Sequence, residues 1–324
     1  MPRINFQVEK TRNKLYHLKM EQRNIKRKYF LHLRAYVHSW LLEIVGIFFR
    51  ALSLFSTLTT TPKQNKTRVN ALLIVDVQND FITGSLSLRD CPSKHEGEEV
   101  VPVINHLLST IKFDVIAYTQ DWHPGTHISF YECLPLRKHL IAPNSPVTEA
   151  NAKVFDQIRF SGDIEQILWP AHCVQHTRGA DLHEELYIID SKTPENHMNK
   201  NTPIIRLQKG TDAEIDSYSA FWDNQKISKT TLDADLKKHH VTDVYVAGIA
   251  TDVCVYSTAL HSCELQYRTY VIEDACRGVD ETAIKSKLQE LQSHSCQIIN
   301  SSKVKCLIEG TRAEQQELNN NDIN

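Results

Sequence analysis

Four apolar runs in this chain end in groups that could do chemistry together. Ala71-Leu72-Leu73-Ile74-Val75 leads to Asp76, and Val115-Ile116-Ala117-Tyr118-Thr119 leads to Asp121 and His123. Ile204-Ile205-Arg206-Leu207-Gln208 leads to Lys209, and the run from Val244 to Ile249 leads through Ala250-Thr251-Asp252-Val253 to Cys254. The chain must turn sharply after Ile249, which puts Cys254 in the first turn of a helix. Unpaired N–H groups and the positive helix end there favour a thiolate. Lys209 can stabilise that thiolate by charge. Asp76 can take the thiol proton and return it to a leaving amine. The backbone N–H groups of Ala250 and Cys254 can face a developing oxyanion. Taken singly, Cys254 reads equally as a small buried helix residue and Lys209 as an ordinary surface lysine. As a set, the groups point to acyl transfer with an amine leaving group.

A second constellation lies beside the first. Asp121 and His123 are two residues apart, so an extended backbone points both to one side. His172, in Trp169-Pro170-Ala171-His172-Cys173, is a third candidate ligand. One carboxylate and two imidazoles suit zinc, iron or manganese, with positions left for water or substrate. The pattern alone is weak in a chain of sixteen histidines. His127, His176 and His183 read as local hydrogen-bonding or exposed residues, and position favours the first trio.

These groups need elements to hold them. The alternation of strand and helix signals predicts an α/β three-layer sandwich with a mostly parallel central sheet, in which strand ends converge on one edge. Val100–Leu108 and Leu232–His239 have helical character, and Asp280 caps a helix running to about Ser293. Thr269–Asp274 reads as a strand, with Cys276, Arg277 and Gly278 in the turn after it. Leu186–Ile189 and Val304–Ile308 read as short strands. Residues 131–162 look like a long excursion over the sheet, Ser87–Gly97 like a polar, exposed segment, and the insert around Cys91–Gly97 within it like a peripheral one. Phe81 follows Asp76 in a loop and could line a pocket. No Gly-x-Gly-x-x-Gly or phosphate-binding loop follows any strand, which argues against a Rossmann cofactor site.

The chain of 324 residues has a net charge of −2 that hides an asymmetry. Residues 1–60 hold eleven Lys/Arg against three Asp/Glu, so they carry +8 and the remainder −10. The acidic remainder argues against a nucleic-acid surface. Eight cysteines without a Cys-x-x-Cys pair argue against a disulfide scaffold and for a reducing compartment, cytoplasmic or nuclear. Residues 40–58 are strongly apolar but interrupted by Glu43 and Arg50, so they are not a clean transmembrane span. They fit a helix lying on a membrane surface, a helix packed on the domain, or a homo-oligomer contact. The expected layout is a basic and apolar extension with linker over 1–66, a catalytic domain over 67–310 and a polar tail over 311–324.

The residues 68–310 resemble the isochorismatase-like cysteine hydrolases, and among them the nicotinamidases. The likeness lies in Asp76 with Gln78 and Asn79, Asp121-Trp122-His123-Pro124, Trp169-Pro170-Ala171-His172-Cys173, Lys209-Gly210, and Gly248-Ile249-Ala250-Thr251-Asp252-Val253-Cys254. The resemblance implies a catalytic triad of Asp76, Lys209 and Cys254. It implies one divalent metal, most often zinc with iron or manganese as alternatives, on Asp121, His123 and His172. It further implies that the substrate is nicotinamide, cleaved to nicotinate and ammonia in NAD turnover or salvage. The pyridine nitrogen would then sit on the metal, Phe81 on the ring, and a non-proline cis bond before Ala250. Another amidase of the same fold, acting on a different small carboxamide, is the alternative. An isochorismatase proper would not be expected to keep Cys254.

Overall fold

The structure is a computed structural model and describes residues 68–310. The apolar segment 40–58, the rest of the extension and the tail lie outside the described residues. Six strands form one fully parallel sheet in the order β5-β2-β1-β6-β7-β8. Its strands are β1 (Asn70–Val75), β2 (Val115–Asp121), β5 (Ile204–Lys209), β6 (Asp243–Ile249), β7 (Arg268–Arg277) and β8 (Gln297–Ile299). β1 and β6 are buried at every residue, because helices cover both faces and only continuous aliphatic runs suit such positions. β5, at the edge, alternates between buried and more exposed side chains.

The helices are α1 (Asn79–Ile82), α2 (Val100–Thr110), α3 (Leu232–Lys238), α4 (Tyr256–Glu264) and α5 (Glu281–Ser293), followed by α6 over 301–310. α2 buries Val100, Val101, Ile104, Leu107 and Leu108, one stripe at helical spacing. The Asp280 carboxylate accepts the Ala283 amide at 2.8 Å and caps α5, as its position predicts. β1 leads to β2 on one side, while β6 lies on the other. The strand order therefore reverses between β1 and β6, the place where open α/β sheets form a crevice.

Three local expectations need correction. Leu186–Ile189 is not a strand, because its backbone bonds to side chains instead of a neighbouring strand. The Tyr187 amide donates to Asn105, the Ile189 amide donates to the Tyr118 hydroxyl, and that hydroxyl donates to the Tyr187 carbonyl. Val304–Ile308 lies in α6, and the last strand is β8. Val304 and Ile308 are one helical turn apart on a buried stripe, and Asp274 holds the Ser301 amide and hydroxyl at the helix start. Cys276 and Arg277 still belong to β7, paired with Gly248 and Ile249. The excursion over 131–162 and beyond contains an antiparallel hairpin, β3 (Gln157–Phe160) with β4 (Ile164–Ile167). Gly162 and Asp163, both at positive φ, turn it.

Candidate active site

Lys209 and Asp121 end β5 and β2, and Asp76 and Cys254 follow β1 and β6, four successive strands of the sheet. Asp121 and Lys209 are direct register partners. Asp76 follows β1 immediately and takes a left-handed backbone, φ 51°, which turns its carboxylate into the crevice. The Lys209 Nζ lies 2.5 Å from Asp121 Oδ1, 2.9 Å from Asp76 Oδ2 and 3.4 Å from Cys254 Sγ. The Ser217 carbonyl accepts another of its protons at 3.0 Å. Asp76 Oδ1 accepts the Thr119 hydroxyl at 2.6 Å. Its Oδ2 pairs with the ammonium and also faces the thiol.

The turn before Cys254 needs two backbone accommodations. Gly248 has φ 133°, and a Cβ there would stand 2.1 Å from the Val75 carbonyl oxygen, so no other residue fits. Ala250 has φ 63°, and residues Thr251–Val255 then form one π-helical turn closed by the Val255 amide on the Ala250 carbonyl. The peptide before Ala250 is trans, unlike the cis bond that the resemblance implies; the left-handed Ala250 makes the turn.

Charge and burial oppose each other here. Burial pushes the Cys254 thiol well above its ordinary value, and Lys209 only partly counters this because Asp121 and Asp76 act against it. Burial lifts Asp76 above the usual carboxylate range, with Lys209 opposing and Asp121 adding to the rise. Burial alone would lower Lys209, but the two carboxylates outweigh it and keep the ammonium charged. The resting arrangement is a thiol, a charged lysine and an acceptor oxygen on Asp76.

Asp121 turns its other oxygen to the imidazoles. Oδ2 lies 3.7 Å from His123 Nε2 and 3.9 Å from His172 Nε2, and the three residues offer ligand atoms all within 4.8 Å of one another. The Nδ1 of His123 lies 2.9 Å from the Gly210 carbonyl, and that of His172 lies 2.7 Å from the Pro170 carbonyl. A carbonyl only accepts, so each Nδ1 carries the proton and each Nε2 presents its lone pair to the shared point. One anionic oxygen and two converging imidazole nitrogens fit a divalent transition metal. Gly210, φ 66°, makes room for this, since a Cβ there would stand 2.3 Å from the His123 ring. Burial alone would lower His123, but Asp121 outweighs it and holds the imidazole above 6.5. A proton at His123 thus competes with a metal.

The comparisons with known proteins agree on one family. Residues 70–303 match the isochorismatase domain model. The chain belongs to the isochorismatase family. It is 35% identical to a nicotinamidase of Acinetobacter baylyi over 236 residues, 72% of this chain and 94% of that protein. A solved nicotinamidase/pyrazinamidase of Acinetobacter baumanii is 34% identical, with a TM-score of 0.59 over 74% of this chain and 99% of that one. The pyrazinamidase of Pyrococcus horikoshii in complex with zinc is 27% identical, with a TM-score of 0.50 over 71% and 98%.

In this isochorismatase-family chain the thiol and the imidazoles share one narrow pocket. Phe81, Leu86, Leu88, Trp169, Tyr218, Val253 and Val279 wall it, and Ala250 and Asp216 reach its edge. Phe81 stands with its ring 5.5 Å from that of His172. The sequence reading missed Leu86, Leu88 and Val279, because the polar residues around them hide isolated apolar positions. Leu88 is buried in this wall, so the segment reaches the site at its start, while Arg89, Asp90, Pro92 and Lys94 are exposed. Trp169 had a signal, its place in one short motif with His172. His127 is fully buried and stacked 4.0 Å from His123; with His123 and Asp216 it forms a second group of converging ligand atoms. Of the other histidines considered, His176 packs edge-on against Trp122, and His183 accepts the Glu185 amide.

Proposed function

We infer that the chain is a nicotinamide amidohydrolase, a cysteine hydrolase that converts nicotinamide to nicotinate and ammonia. One observation supports this most directly. A buried thiol, with a charged lysine and a carboxylate beside it, shares an apolar, partly aromatic-walled pocket with a convergent Asp/His/His trio. The pocket thus offers a nucleophile at one end and an anchor for a ring nitrogen at the other, the two ends of a pyridine carboxamide.

In the proposed reaction the Cys254 proton passes to Asp76 Oδ2 as the sulfur attacks the carboxamide carbon. Lys209 stays charged and compensates the carboxylates throughout. The oxyanion forms next to the Ala250 and Cys254 amides, whose donation stabilises it. Asp76 returns its proton to the nitrogen, the C–N bond breaks, and ammonia leaves a thioester on Cys254. Water then attacks the thioester with its proton going to Asp76. The C–S bond breaks, nicotinic acid leaves and loses its carboxyl proton to water to give nicotinate, and Asp76 gives its proton back to Cys254. A divalent ion on Asp121, His123 and His172 (zinc first, with iron or manganese as alternatives) supplies a Lewis-acid site for the pyridine nitrogen. Phe81 packs on the ring.

The layout proposed around this chemistry is a catalytic domain over 67–310 flanked by an extension and a tail. No helix among the described residues is long and apolar enough to cross a membrane. All eight cysteines are free, which supports the proposed reducing, cytoplasmic or nuclear setting. Residues 40–58 are proposed as a surface-membrane or protein-packing helix. The deciding experiment is ammonia release from nicotinamide and from aliphatic amides, with Cys254→Ala as the control. Nicotinamide turning over no faster than an aliphatic amide overturns the assignment in favour of another amidase.

A further inference from the structure

Val279 stands in the wall of the pocket, yet its own strand does not hold it there. It lies two residues beyond the end of β7, in the loop before α5. Four bonds fix the backbone of Gly278 and Val279. The Ser93 amide donates to the Val279 carbonyl at 2.8 Å, and the Ser93 hydroxyl donates to the Gly278 carbonyl at 2.6 Å. The Gly278 amide donates to His95 Nδ1 at 3.1 Å, and the Val279 amide donates to Asp252 Oδ1 at 2.8 Å. Three of the four come from the polar segment Ser87–Gly97, and the fourth comes from the nucleophile turn.

The clasp is itself fixed. Because His95 Nδ1 accepts, its Nε2 carries the proton and donates it to Glu281 at 2.6 Å. Arg89 closes the base of the segment with a bidentate grip on Glu96. Cys91 is buried beneath it. On the far side Asp252 takes the Asp280 amide as well, and Gly278 has no room for a Cβ because Asp252 Oδ1 would stand 2.6 Å away. A surface segment is thereby joined, through one short loop, to the residue two places before Cys254.

We propose that Ser93 and His95 are positioning residues that hold Val279 against the substrate ring and so set the fit of the pocket. This rests on the nicotinamidase reading for the identity of the ring. Val279 is an apolar wall residue with no group to donate to the reacting carbonyl, so losing its support weakens ground-state and transition-state binding alike.

The test uses the full-length protein loaded with its metal and measures kcat and KM for nicotinamide. Wild-type turnover tests the functional reading by itself; the variants test the clasp. Ser93→Ala raises KM about five-fold with kcat within about two-fold, and Ser93→Thr, which keeps the hydroxyl, restores KM. In a Val279→Ala background Ser93→Ala adds nothing further, because both changes act on one contact. His95→Gln, whose amide oxygen can still accept the Gly278 amide, falls between wild type and His95→Ala; this comparison decides if Ser93→Ala does not fold. Additive effects of Ser93→Ala and Val279→Ala, or equal loss in Ser93→Ala and Ser93→Thr, overturn the proposal, as does an unchanged KM.

Discussion

Asp76, Lys209 and Cys254 stand at strand ends or just past them, whereas His123 and His172 stand on loops beyond the sheet. The sheet's own register sets the first group: Asp121 is the partner of Lys209, and Val75 that of Gly248. The second group depends on two loops binding each other. The His123 amide donates to the Cys173 carbonyl, and the Gln175 amide donates to the His123 carbonyl. Asp121 belongs to both, with one oxygen on the ammonium and the other toward the imidazoles. The difference teaches that the thiol half is fixed by the fold, while the metal half is fixed by local backbone acceptors and a glycine.

That comparison can be broken at the thiol end first. Cys254→Ala should lower ammonia release from nicotinamide by at least about 10⁴-fold while leaving metal content unchanged. Metal loss in this variant would mean that the halves are not separable. Lys209→Met should damage both halves, because it strands two buried carboxylates. It should cost about 3–5 kcal/mol in denaturant unfolding as well as activity.

Changes in the metal half should act on binding. His123→Ala with His172→Ala should abolish the uptake of about one divalent ion per chain, read by elemental analysis. Full activity in a metal-free protein would remove the anchor from the mechanism. Gly210→Ala should weaken metal affinity about ten-fold by pushing on the His123 ring, with the thiol half intact. Proton competition gives a pH signature. Asp121 raises the His123 imidazole, so a proton competes with the metal and metal retention should fall as the pH is lowered. Retention that does not change across the acid range would contradict that competition. The smallest effect should come from removing residues 1–66, with kcat/KM within about two-fold of the full chain and changed membrane partitioning or solubility.

Much of the thiol half could be read before the fold was seen. Each of its residues closes an apolar run, and parallel strands bring such ends to one edge regardless of the loops between them. Asp121 and His123 were readable for the same reason. Val279, Leu86, Leu88 and Asp252 were not. Their roles come from contacts across long sequence separations, such as Ser93 with Gly278 and Asp252 with Val279, and nothing in local periodicity marks these pairs. Leu186–Ile189 failed the other way. Its composition suits a strand, but side chains of Asn105 and Tyr118 take its backbone groups.

By itself the sequence determined the order of elements, the α/β class and which chemical groups end up at one sheet edge, because side-chain patterning and strand direction are local properties. Only the tertiary structure decided the state and aim of those groups. Burial, which depends on the whole chain, outweighs Lys209 and leaves Cys254 a thiol. The distant Gly210 carbonyl fixes which nitrogen of His123 faces the shared point, while for His172 the nearby Pro170 carbonyl does so. A polar segment that looked peripheral closes the pocket through hydrogen bonds to a loop some 185 residues away.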